Sequence, residues 1–243
     1  MVKRQARVQV FELAPRLLPR QLDQTAAALF AAMVRDKGID PYVQVGVQEL
    51  VGDTRVEALK LADGRGFAAD LVVVSTGIRP NIDWVKRSGL HCARGVLVDD
   101  CMQTSAEHVF AAGDVTEWRG QVVGLWTNAI EQAKVAAANA MGQPAVFRGC
   151  VPVTILKCLG IPLVSMGEIL EDSDAITSRV QQEEAAWTYR RVIFRHGLPV
   201  GGLLLGTTRG MGDLRKLIEG GLELEQLRQQ VVPDEAEALA VGV

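Results

Sequence analysis

Apolar residues alternate with polar ones over Arg7-Val8-Gln9-Val10-Phe11-Glu12, the period-two pattern of a strand that ends on an acid. A loop, Ala14 to Pro19, follows. Leu22, Ala26, Leu29, Phe30 and Met33 then recur on one helical face, and Gly38 after Lys37 closes the helix. Tyr42–Val45 reads as the next strand, so strand, helix and strand make a βαβ unit of a parallel sheet. Val47–Val51, Arg55–Leu61 and a short return after Asp63-Gly64 read as small antiparallel strands. The run from Ala69 to Gly77 is apolar throughout its middle and predicts a strand buried on both faces.

The second half changes its period twice. Asn81 to Gly95 is a polar helix and loop, Gly95 to Asp100 a strand, and Val109–Ala112 a short buried strand running into a Gly113-Asp114 turn. Trp118-Arg119-Gly120 is a turn, and Leu125 to Met141 an alanine-rich helix ended by Gly142-Gln143-Pro144. From Val151 onward the pattern becomes short strands: Val153–Leu159, Pro162–Glu168, Thr188–Arg195 and Pro199–Leu205, the last two joined at His196-Gly197. Asp213 is expected to cap a helix over Leu214–Glu219, with a second short helix over Leu224–Val231 and a tail from Pro233.

Composition narrows the classes. The 243 residues carry a net charge of -3 with no basic run, which gives no basis for nucleic acid or an anionic membrane surface as partner. No apolar run reaches the roughly 18 residues of a membrane span, and no secretory leader pattern opens the chain. The four cysteines, Cys92, Cys101, Cys150 and Cys158, form no C-x-x-C, so neither a metal site nor a redox dithiol is expected. Cys158, in an apolar run, reads as a small core residue. The default is a reduced, soluble, cytoplasmic protein.

Candidate chemistry gathers at two places. Gly113 has no Cβ and lets a ligand approach the backbone, while an ionised Asp114 accepts hydrogen bonds from hydroxyl donors such as a sugar-alcohol chain. Glu12 ends a strand where a dinucleotide-binding unit holds the adenosine ribose, about 20 residues after a glycine fingerprint. Counting back that distance passes the first residue, and no G-x-G-x-x-G occurs anywhere in the chain. Glu12 is thus either an ordinary strand-end acid or the ribose ligand of a domain entered at its second strand.

Thr104-Ser105-Ala106-Glu107-His108-Val109-Phe110-Ala111-Ala112-Gly113-Asp114-Val115 resembles the second flavin-binding motif of the FAD-dependent pyridine nucleotide-disulfide oxidoreductases. Ser75-Thr76-Gly77-Ile78-Arg79-Pro80-Asn81 resembles that family's crossover from the NAD to the FAD domain, with Ser75 for the usual alanine. The stretches Pro152–Ile161 and Ser165–Glu168 resemble the C-terminal domain of NADH-rubredoxin reductases and of nitrite reductase flavin portions.

The resemblance implies an α/β fold with partial Rossmann-like NAD-binding (1–77) and FAD-binding (78–148) domains. A small α+β C-terminal domain (149–232) and a tail (233–243) would follow. It implies that Asp114 and Gly113 meet the FAD ribityl chain, that Gly77 marks the crossover, and that Trp126, Thr127 and Asn128 face the flavin ring. Glu12 would favour NADH over NADPH, tempered by Arg16, since arginine accepts a phosphate. The implied activity is electron transfer from NADH through FAD to a protein or small-molecule acceptor. No catalytic side chain is demanded, because the cofactor does the chemistry.

On this reading the chain is the C-terminal portion of a larger flavoprotein, inactive alone. Unpaired edges at Arg7–Glu12 and Leu71–Ser75 are expected to make it self-associate into a homo-oligomer. The competing expectations are a non-catalytic interaction or dimerisation module, and a flavin-free nucleotide-binding fragment.

Overall fold

The computed structural model describes residues 6–220, apart from the side chain of Cys158. The expected Leu224–Val231 helix and the tail lie outside the described residues, as does any packing of Cys158. The chain divides into two compact units: residues up to Val73 together with those from Val153 on, and Val74–Pro152.

The first unit opens with β1 (Val8–Phe11), α1 (Gln24–Asp36) and β2 (Ile39–Tyr42), with β1 and β2 paired in parallel. This is the expected βαβ unit, displaced at its end. The second strand starts directly after Gly38 and runs through Pro41, and Gln44, at φ 57°, cannot continue it. The strand expected over Tyr42–Val45 lies earlier because the two-stranded sheet accommodates Pro41, which belongs at a sheet edge. An antiparallel meander follows: β3 (Val47–Val51), β4 (Ala58–Leu61) and β5 (Gly66–Ala68). Its inner face joins Phe11, Tyr42 and Phe67, whose rings lie 4.9 to 5.2 Å apart.

Ala69–Gly77 forms no strand. Val73 and Val74 are each 71% exposed, and Leu71 is exposed as well. An apolar run is buried only where a neighbouring sheet exists to receive it, and none of the described strands pairs with this one. The expected edge at Leu71–Ser75 is therefore an exposed apolar segment rather than a strand.

The rest of the first unit is a five-stranded antiparallel sheet in the order β10-β11-β12-β9-β8, from β8 (Val153–Cys158), β9 (Ile161–Gly167), β10 (Ile176–Glu183), β11 (Thr188–Arg195) and β12 (Leu198–Leu205). Four of these match the expected runs. β10 was missed because Ile-Thr-Ser-Arg-Val-Gln-Gln-Glu is mostly polar, as suits an exposed edge. His196 and Gly197, both at positive φ, make the tight turn between β11 and β12.

The two faces of β12 receive different helices. Leu203 and Leu205 join Ile161, Leu163 and Tyr189 in a core with Leu22, Ala26, Ala27, Phe30, Met33 and Val34 of the α1 segment. Gly202 points the other way, and a Cβ there would sit 2.7 Å from Leu214 of α4 (Met211–Ile218). Each such buried aliphatic or aromatic side chain is worth about 1.5–3 kcal/mol. α4 begins one turn earlier than expected: Gly210, in the left-handed region, is its N-cap, and Asp213 lies in the first turn. Its carboxylate there suits the helix dipole rather than capping an amide.

The second unit holds α2 (Asp83–Lys86), a parallel pair of β6 (Val96–Val98) and β7 (Thr116–Trp118), and α3 (Trp126–Ala140). The polar helix expected over Asn81–Gly95 is thus a single turn. Val109–Ala112 is not a buried strand: it makes one bridge, Gln103 to Phe110, and Val109 is exposed. Its backbone is instead tied locally, Thr104 N donating to Val109 O and Ala111 N to Met102 O.

Candidate functional site

The Gly113-Asp114 turn is held against α3 by one buried side chain that the sequence did not single out. Gln132 Oε1 accepts the Gly113 amide at 2.8 Å, and Thr116 Oγ1 lies 2.9 Å from the same oxygen and 2.8 Å from Gly113 O. Gln132 and Thr116 are both almost fully buried. Gly113 has φ +87°, which glycine adopts without strain, and a Cβ there would lie in ordinary contact with Ala129 Cβ at 3.5 Å, so it is the turn that requires glycine. The only sequence signal for Gln132 was its place one helical turn below Asn128 on the same face of α3.

Asp114 follows that turn with its side chain exposed. Its carboxylate has no partner among the described residues. Beyond the turn, Glu117 Oε2 accepts the amides of Arg94 and Gly95 at 2.7 and 3.0 Å, which locks the β7 end of the segment.

The N-cap of α3 is Leu125, which has no polar side chain, and no side chain caps this end. The amides of Trp126, Thr127 and Asn128 therefore have no intrahelical acceptor and carry the positive end of the helix dipole. Trp126 is 80% exposed, Thr127 is exposed and Asn128 is buried. Asn128 Oδ1 accepts from Cys150 Sγ at 3.2 Å. Burial, and then the Glu131 carboxylate, push the Cys150 thiol above its ordinary range, so it is a protonated donor rather than a nucleophile. Gly77, exposed and at φ +93°, enters the same neighbourhood through its successor: Ile78 lies 3.1 Å from where a Cβ on Gly124 would stand.

Gly113, Asp114, Gly77 and the start of α3 thus share the second unit. An unpartnered carboxylate beside an uncapped helix N-terminus suits a ligand that has hydroxyl donors at one end and a charge-bearing ring at the other. Glu12 belongs to the first unit. Its Oε1 accepts the Ala14 amide at 2.8 Å, and its other carboxylate oxygen has no partner among the described residues. Arg16 is turned back on its own loop, donating from Nε to Leu22 O at 3.0 Å and from Nη2 to Pro19 O at 3.4 Å.

Residues 1–139 match the family described as pyridine nucleotide-disulphide oxidoreductase, and residues 152–222 match the rubredoxin NAD+ reductase C-terminal domain. The chain belongs to the pyridine nucleotide-disulphide oxidoreductase family. It is 35% identical over 220 residues to nitrite reductase (NAD(P)H) of Bacillus subtilis, covering 90% of this chain and 27% of that protein. It is 32% identical over 167 residues to NADH-rubredoxin oxidoreductase of Clostridium acetobutylicum, covering 69% of this chain and 41% of the relative. Among solved structures, the NAD-dependent persulfide reductase from A. fulgidus superposes with a TM-score of 0.77 at 25% identity, over 91% of this chain and 46% of that one. The chain therefore spans less than half the length of each of these relatives. The expected α/β class stands.

Proposed function

We propose that this chain supplies the ribityl- and ring-facing part of a FAD-dependent oxidoreductase that passes electrons from NADH to an acceptor protein. The observation that carries this reading is that Asp114, exposed and unpartnered, follows a Gly113 whose amide is held by Gln132 of α3, the helix whose start is uncapped. Bound FAD would supply the redox chemistry, taking two electrons from a reduced nicotinamide and releasing them to the acceptor. Asp114 accepts hydrogen bonds from the ribityl hydroxyls, and Gly113 admits the chain close to the backbone. The amides of Trp126, Thr127 and Asn128 favour negative charge at the ring edge.

Glu12 supports the preference for NADH, because its free oxygen is available to ribose hydroxyls and a carboxylate repels a 2′-phosphate. A protein acceptor is supported by the printed names of relatives such as NADH-rubredoxin oxidoreductase. Among the described residues no helix is long and apolar enough to cross a membrane. A reducing cytoplasmic setting agrees with free thiols at Cys92, Cys101 and Cys150.

The test is a titration of the 243-residue protein with FAD, followed by amide shifts and the Trp126 indole resonance. Shifts confined to residues near Gly113–Thr116 and Trp126–Asn128, weakened at least tenfold by Asp114→Ala, are expected. Each charge-assisted bond lost is worth about 1.5–3 kcal/mol. Equal binding by the variant, or shifts elsewhere, would overturn the assignment.

A further inference from the structure

Arg16 lies four positions after Glu12, where a guanidinium would hold the 2′-phosphate of NADPH. The structure gives it other work. Besides its two carbonyl acceptors, its Nη2 lies 3.6 Å from Glu171 Oε1, and its side chain is only 24% exposed. Glu171 comes from the loop between β9 and β10, far away in sequence but in the same compact unit.

That loop is firmly seated. Ile169 packs on the core around α1. Asp172, next to Glu171, accepts from Arg191 Nη2 and from Ser178 Oγ, each at 2.9 Å. Arg191 is itself buried and bonded to Asp23. Glu171 is therefore presented from beside an anchored neighbour, with its carboxylate facing the Arg16 guanidinium of the loop that follows Glu12.

We propose that Glu171 is a specificity-determining residue: it engages Arg16 and disfavours a 2′-phosphorylated adenosine ribose at the Glu12 site. This rests on the reading of Glu12 as the ribose-binding acid. Neutralising Glu171 removes the acidic partner of Arg16 and leaves only its two carbonyl acceptors to hold it away from a phosphate. Because Glu171 is largely exposed, the effect has the size of a surface ion pair, a change in relative affinity of roughly three- to fivefold.

The experiment titrates the 243-residue protein with two probes, adenosine 5′-monophosphate and adenosine 2′,5′-bisphosphate, by NMR. The proteins are the wild type, Glu12→Ala, Glu171→Gln and the double variant Glu171→Gln/Arg16→Gln, with thermal melts confirming that each is folded. The expected result is a shift of roughly three- to fivefold toward the bisphosphate in Glu171→Gln, lost again in the double variant. An unchanged ratio overturns the role of Glu171, and so does a gain that survives loss of Arg16. If monophosphate binding is absent, or ignores Glu12→Ala, the reading of Glu12 fails and the inference falls with it. Binding that depends on Glu12 with a ratio indifferent to Glu171 overturns the inference alone.

Discussion

Arg191 Nη1 donates to Asp23 Oδ2 at 2.9 Å, joining two side chains that are only 4% and 5% exposed and 168 positions apart. Asp23 also accepts the Ala26 amide at 2.8 Å as the N-cap of α1, and the Tyr189 hydroxyl at 2.9 Å. One carboxylate thus starts the first helix and fastens it to β11. Burial, reinforced by the Asp23 charge, raises the Tyr189 hydroxyl above its ordinary range, so it stays a donor. Burial pulls the Arg191 guanidinium down, but Asp172 and Asp23 together outweigh it and hold it above the usual arginine range.

Removing Arg191 leaves the buried Asp23 carboxylate without its countercharge. Arg191→Met is expected to lower stability by about 3–5 kcal/mol. Adding Asp23→Asn, which keeps a capping oxygen, should recover part of that loss. Urea unfolding of the three proteins measures it, and a loss below about 1 kcal/mol for Arg191→Met would show that the bridge carries little of the docking of α1.

Gln132→Met keeps the volume and removes the acceptor for the Gly113 amide. A buried donor left unpaired costs about 1–3 kcal/mol. The expected signature is local: faster hydrogen exchange at Gly113 and Thr116, with α3 otherwise protected. Uniform loosening of the second unit would instead mark Gln132 as a general core residue.

Asp100 accepts from Arg119 at 2.7 and 3.1 Å and from the Trp118 indole at 2.9 Å. The Arg119 guanidinium, then Trp118, hold its carboxyl below the ordinary value of 3.8. With the folded value below the unfolded one, the contribution to stability is complete above the ordinary carboxylate range. It is lost as pH falls through the lowered value. The Trp118 indole proton should therefore lose its hydrogen-bonded shift in acid with a midpoint below the ordinary carboxylate value of 3.8. A midpoint above 3.8 would contradict the geometry.

Leu71, Val73, Val74 and Ile78 are each an exposed large apolar side chain. The protein is expected to self-associate as its concentration rises, through burial of this surface. Sedimentation velocity over a concentration series measures it, and Val73→Lys/Val74→Lys should shift the distribution toward monomer. A concentration-independent monomer for the wild type would refute the expectation.

What local pattern encodes was legible in the chain. The period of Leu22 to Met33 marks α1, with Gly38 after it, and His196-Gly197 closes a hairpin because both residues adopt positive φ. The run into Gly113-Asp114 identified a turn through glycine's backbone freedom alone. Burial and partnership were not legible, since they depend on which distant surface a segment meets. Val73 and Val74 are apolar enough for a sheet core yet stand in solvent, because no described strand pairs with them. The polar β10 is a strand because β11 offers it hydrogen bonds, and Gln132 holds Gly113 because α3 is brought beside the turn. Asp23 was one acid among many until the C-terminal sheet placed Arg191 and Tyr189 against it. Desolvation then made those bonds strong enough to join the two ends of the described chain.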